Sequence, residues 1–249
     1  MPPSKPVALT RRALLGTTAA AALCGTARAV DVPGGDGMPW APDQARPPVP
    51  FRPGPWLFFT HDEGRTVEAI VERLIPADAL SPSGKDAGCA VFIDRQLAGP
   101  YGEGARLYMK GPFAKGAKTQ GQQSPLRPAA RFRAGLAALD AHCRTNHAAG
   151  FADLDAERQV AALQGLEAGT VAFDGPISAK AFFELVLART MEGFFADPIY
   201  GGNRDMVGWR MIGFPGTRYD WTDWVERHDE AFTDPPISIA GAPSWTQRD

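Results

Sequence analysis

Apolar residues recur along the middle of the chain at helical spacing, and five segments carry them on one face. Val67, Ile70, Val71 and Leu74 fall at i, i+3, i+4 and i+7. They follow Thr60-His61-Asp62-Glu63, a T-x-x-E capping box, and Pro76 stops them. A second helix opens at Ser83-Gly84-Lys85-Asp86, turns Cys89, Phe92, Ile93 and Leu97 inward, and closes at Gly99-Pro100-Tyr101-Gly102. Ser124-Pro125 is expected to cap a third, with proline in its first turn and Phe132, Leu136, Leu139 and Cys143 as its stripe. A fourth, near residues 155–167, is expected to bury Val160, Leu163 and Leu166. The fifth is the most apolar: Phe182, Phe183, Val186, Leu187, Thr190 and Phe194 cover much of its girth, which suits the centre of a bundle or a shared face.

No run of alternating strands accompanies these patterns. The fold class they predict is mainly α: a single irregular helical domain of about five to six helices over residues 57–232. Between the helices, residues 110–123 read as a Gly- and Pro-punctuated loop. Past Phe195 the character changes. Residues 197–205 (DPIYGGNRD) are dense in turn formers, and Trp209, Ile212, Phe214, Trp221 and Trp224 follow.

Both flanks are proline-rich and extended. Eight prolines fall within residues 31–55, so residues 30–56 read as an arm. A bare linker needs no aromatics, yet Trp40, Phe51 and Trp56 are interspersed, so the arm is expected to lie on a surface, either its own or a partner's. Residues 233–249 read as a second extended tail. Ahead of the first arm, Arg11-Arg12 precedes the apolar stretch 13–23, and Ala27-Arg28-Ala29 offers an A-x-A cleavage site. That order predicts a twin-arginine signal over residues 1–29, with Ala29 at the cut. The stretch is about half the roughly 20 residues that span a bilayer. The expected location is therefore periplasmic. Lipidation at Cys24 is the rival reading, and Leu23 before it disfavours it.

Composition narrows the partners. Removing residues 1–29 takes away Lys5, Arg11, Arg12 and Arg28 and no acids, leaving 22 basic against 28 acidic residues, a net charge of −6. Nucleic acid and anionic membranes are poor partners for that balance. Two cysteines then remain, Cys89 and Cys143. In an oxidising compartment they are expected to form a disulfide stabilising by roughly 4 kcal/mol in the loop-entropy account; the alternative is two buried thiols in separate helices.

Candidate chemistry is sparse. Cys143 and His147 stand at i,i+4, without a second pair to complete a metal site. His61 lies inside a capping box. No G-x-S-x-G, C-x-x-C or Gly-rich dinucleotide loop occurs. Paired carboxylates sit at helix starts, where capping and the macrodipole explain them. The one candidate site is residues 197–205: Gly201-Gly202 permits close backbone approach, and Asn203, Arg204 and Asp205 could bind a small polar ligand. The competing reading is a turn locked by its own hydrogen bonds. No catalytic, cofactor-binding or metal-binding residue is predicted in this chain.

In order, the segments 71–78 (VERLIPAD), 92–97 (FIDRQL) with Gly99-Pro100-Tyr101, 108–113 (YMKGPF), 133–136 (RAGL), 197–203 (DPIYGGN), Gly208-Trp209 and 213–216 (GFPG) resemble the gluconate 2-dehydrogenase subunit 3 family, the small subunit of membrane-bound gluconate 2-dehydrogenase. The resemblance spans roughly residues 57–224. It implies a non-catalytic subunit. In such complexes a large flavoprotein holds FAD and oxidises a sugar, sugar acid or polyol, and a multi-haem cytochrome c subunit passes electrons to membrane quinone. The small subunit carries the twin-arginine signal, meets the twin-arginine translocase and escorts and stabilises the flavoprotein. Membrane association would then run only through partner subunits. Trp40, Trp56, Tyr200, Asn203, Trp209, Phe214 and Trp221 are the expected partner-binding residues, and Trp209→Ala is expected to weaken a complex more than the fold. The alternatives are a stand-alone periplasmic enzyme or a ligand-binding module using residues 197–205.

Overall fold

A helix this apolar must be surrounded, and the most apolar one is. In a computed structural model, which describes residues 54–239 except 115, 118, 122, 219 and 220, six α-helices are formed. They are α1 (His61–Leu74), α2 (Cys89–Ala98), α3 (Pro128–His147), α4 (Ala156–Ala168), α5 (Ala179–Phe195) and α6 (Val207–Ile212). Helix α5 packs against all five others. Its Phe182, Phe183, Val186 and Phe194 are buried, each a side chain whose burial stabilises by about 1.5–3 kcal/mol. The Phe182 ring meets Phe132 of α3 edge-on at 5.9 Å, and Phe132 meets Phe59 at the same separation. Thr190, fully buried on α5, donates its hydroxyl to the Val186 carbonyl at 2.8 Å, so that hydroxyl is satisfied inside the core. Among the described residues no strand forms and no helix is long and apolar enough to cross a membrane. The fold is the mainly α class that the periodicity predicts.

Helix starts follow local chemistry, with two shifts from the sequence reading. The capping box at α1 closes both ways: Glu63 N donates to Thr60 Oγ1 at 3.2 Å and Thr60 N donates to Glu63 Oε2 at 2.8 Å. Asp155 and Ser178 cap α4 and α5 through their side chains. Helix α3, however, begins at Pro128, with Arg127 as its cap. Ser124 instead accepts from Leu126 N at 3.1 Å in a turn before the helix. Two prolines with suitable neighbours stood one turn apart, and the later one is the N1 residue. Likewise Ser83-Gly84-Lys85-Asp86 forms a turn closed by Ser83, and α2 starts beyond it. Val160, expected inside, is 39% exposed, while Leu163 and Leu166 carry the buried side of α4.

The expected disulfide is absent. Cys89 at the start of α2 and Cys143 in α3 are separate, fully buried free thiols. Each belongs to the apolar stripe of its own helix and faces core hydrocarbon. Burial pushes the Cys89 thiol from 9.0 up to about 12 and Cys143 to about 11, the latter also raised by nearby Asp140. The thiolate that would attack to form a bond is thereby disfavoured.

Candidate functional site

The candidate segment begins where α5 ends. Asp197, nearly buried, caps the short helical turn Pro198–Tyr200 by accepting from Ile199 N at 3.0 Å. The same carboxylate accepts from Ser238 Oγ and Ile239 N, both at 2.7 Å, and from Thr217 Oγ1 at 3.4 Å. A residue of the turn thus fastens a tail forty positions later in the chain. That tail is extended: Ile237 pairs in parallel with Gly216, Thr217 N donates to Ile237 O at 2.6 Å, and Ile237 N donates to Pro215 O at 3.2 Å. Ile237 and Ser238 are buried, so this part of the tail lies on its own domain.

The glycine pair serves packing. A Cβ on Gly202 would sit 2.2 Å from the Gly193 carbonyl oxygen of α5, so only glycine lets the turn lie against the helix. Asn203 then takes a left-handed backbone (φ 46°), which its side chain tolerates, and is fully buried. Its Nδ2 donates to the Ala196 carbonyl at 2.8 Å and its Oδ1 accepts from Gly208 N at 2.8 Å, tying the end of α5 to the start of α6. Arg204 N donates to Ala87 O at 2.9 Å, sealing the same turn to the approach of α2. Trp209, 5% exposed, donates Nε1–H to the Phe195 carbonyl at 2.8 Å and stacks edge-on with Phe214 at 5.1 Å. Of the polar side chains expected to meet a ligand, Arg204 and Asp205 remain exposed, and Asn203 is turned inward.

The expected partner-binding residues therefore separate into groups. Asn203 and Trp209 are interior, and each satisfies a helix-end backbone group. Tyr200, Phe214 and Trp221 are exposed, together with Ile199, Met211 and Ile212. Trp56 is half-buried over Gly64 of α1 and meets Phe59 at 6.0 Å. Trp40, the signal residues Arg11, Arg12 and Ala29, residues 30–53 of the arm, and the end of the tail lie outside the described residues.

Sequence reasoning missed the anchor of the arm. Asp94 of α2 has no exposed surface, and its carboxylate accepts from Leu57 N at 2.9 Å and from Phe58 N and Phe59 N at 2.9 and 3.0 Å. Arg95 Nη1 pairs with it at 2.5 Å and also donates to the Pro55 carbonyl at 3.2 Å. Three consecutive amides just ahead of the α1 cap Thr60 are thus held by one carboxylate. A legible signal existed: Ala90, Asp94 and Leu97 share the buried stripe of α2, and a carboxylate there must find donors.

A cleft of about 330 Å³ lies elsewhere, where α1, α3 and the turn Phe151–Asp153 meet. Arg65 of α1 pairs with Asp153 of the turn, and Arg144 pairs with Asp140 one turn earlier in α3, both at 2.7 Å. Those hydrogen bonds hold both guanidiniums above their ordinary pKa. Asp140 also accepts from Phe151 N at 3.2 Å. Asp140 and Asp153 are thereby committed to bracing the turn. Among the described residues no group of three or more His, Cys, Asp or Glu could hold a metal ion.

These features define a helical domain whose motif residues fasten loops and helix ends to one another and whose aromatic and aliphatic side chains project outward at one end of the chain. The chain belongs to the gluconate 2-dehydrogenase subunit 3 family, whose model matches residues 61–216. No curated protein and no solved structure matches it.

Proposed function

We propose that this chain is the non-catalytic small subunit of a periplasmic FAD-dependent dehydrogenase complex. Family membership over residues 61–216 is the observation that carries the reading. In this reading FAD sits in a larger catalytic subunit, and haem c in a cytochrome c subunit that links the complex to the membrane. The chain carries the twin-arginine signal at Arg11-Arg12, escorts the folded flavoprotein through the twin-arginine translocase and stabilises it afterwards. The burial of Asn203 and the commitment of Asp197 to the tail support an accessory role over a catalytic or ligand-binding one for residues 197–205.

The test is to change Arg11 and Arg12 to lysine in the full chain and follow the flavoprotein by cell fractionation. Dehydrogenase activity and flavoprotein should stay in the cytoplasm, while the wild-type chain delivers both to the periplasm and co-purifies with them. Normal export of the flavoprotein beside the altered chain, or a wild-type chain recovered only as a monomer, would sink the proposal.

A further inference from the structure

Residues 217–236 leave the domain and return to the same place. Gly216 and Ile237 are paired neighbours, so a few residues would suffice to join them, yet the chain makes a long excursion. The neck is fixed: Asp197 receives Thr217 on the outgoing side and Ser238 and Ile239 on the returning side. The excursion also has its own interior. Phe232 stands 5.2 Å from Trp221 and 4.8 Å from Trp224, and the Arg218 guanidinium lies 4.8 Å over its ring. Arg218 further donates to the Pro235 carbonyl at 2.8 Å, and Arg227 lies 4.8 Å over Trp224. The loop is therefore braced at its neck and around its rings.

Its outward character is acidic. Its described residues include five exposed acids, Asp223, Glu226, Asp229, Glu230 and Asp234, against two arginines, and both arginines lie over the loop's own rings. Among these charges Val225 is 62% exposed and Trp221 39% exposed. Like charges gathered on one loop repel one another, a cost that an opposed basic surface removes. The same sign rejects a second copy of this loop, nucleic acid and anionic lipid.

We propose that residues 217–236 are a docking loop for a lysine- and arginine-rich protein surface on the larger dehydrogenase subunit, with Val225 and Trp221 making the apolar contact. The inference rests on the subunit reading above. The loop follows the family match, which ends at residue 216.

The experiment uses the full chain and the flavoprotein recovered with it, and measures their dissociation constant at low and high salt. One variant changes Asp223, Asp229 and Asp234 to Asn and Glu226 and Glu230 to Gln. The Asn at 229 suits the left-handed backbone there (φ 60°). A second variant is Val225→Ser. Thermal melting of both should match the wild type, since the changed side chains are exposed and the neck is untouched. The neutralised loop should bind at least about tenfold more weakly at low salt, with a shallower salt dependence, and Val225→Ser several fold more weakly. Unchanged affinity and salt dependence in both variants would overturn the docking loop and leave the subunit reading standing. Wild-type chains that fail to associate at any salt would overturn both.

Discussion

At the residue scale the decisive groups are buried and polar. Asp94 replaces water at three amides of residues 57–59, so removing it strands those donors near the core. Asp94→Ala should lower stability by at least about 3 kcal/mol in urea unfolding, with Asp94→Asn between it and wild type. A wild-type midpoint for Asp94→Ala would refute the clamp. The two cysteines make a second residue-scale case. Their folded pKa values lie above the ordinary 9.0, at about 12 and about 11, so the folded state holds its protons longer than the unfolded chain. The stability they contribute is complete below pH 9 and is lost as pH rises through 9 toward the folded values. Melting temperature should fall over that window, and less steeply in Cys89→Ala. A thiol reagent should find both cysteines silent at pH 8 in the native chain and both reactive in denaturant. A single cross-linked species by mass would contradict the structure. The residue types were legible in the sequence; their partners, 35 or more positions away, were not.

At the element scale, helix ends decide the architecture more than helix middles do. The stripes of α1, α2 and α5 were legible because their periodicity is set by burial on one side. The start of α3 was less so, since capping chemistry fits both Pro125 and Pro128 and tertiary packing selects between them. Helix α6 is too short to be stable alone and exists because its neighbours satisfy its termini. Asn203 supplies one link and Trp209 the other, through Gly208 N and the Phe195 carbonyl. Trp209→Ala should therefore destabilise the chain by itself, by about 3–5 kcal/mol, measured by chemical unfolding without any partner. That outcome would place the main role of Trp209 in the fold, against the expectation of a mainly interfacial one. An isolated chain that unfolds normally yet loses its complex would restore it.

At the scale of the whole molecule, each flank converges on one buried carboxylate. Asp94 holds residues 57–59 where the proline-rich arm meets α1, and Asp197 holds residues 217 and 238–239 at the opposite end of the sequence. Ending the chain at Pro236 would remove the buried Ile237 and two of the tail's bonds to Asp197. It should lower the melting temperature, reflecting a loss of about 3–5 kcal/mol, and shift tryptophan emission to the red as residues 221 and 224 lose their frame. Unchanged melting and emission would show that the neck is dispensable. Of the flanking aromatics, Trp56 rests on Phe59 and over Gly64 of its own domain, where a large ring gains burial that a linker in water does not offer.

The sequence by itself determined the helical class, the order of the helices and the apolar centre at α5, because burial period, caps and turn formers are local properties of the chain; its ordered motif segments carry the resemblance to the family. Only the tertiary structure decided what the motif residues do. Asp94, Asp197 and Asn203 read as polar, and polarity alone does not distinguish a ligand site from a lock. The difference lies in which distant amides and hydroxyls converge on them, and that convergence is a property of the folded chain.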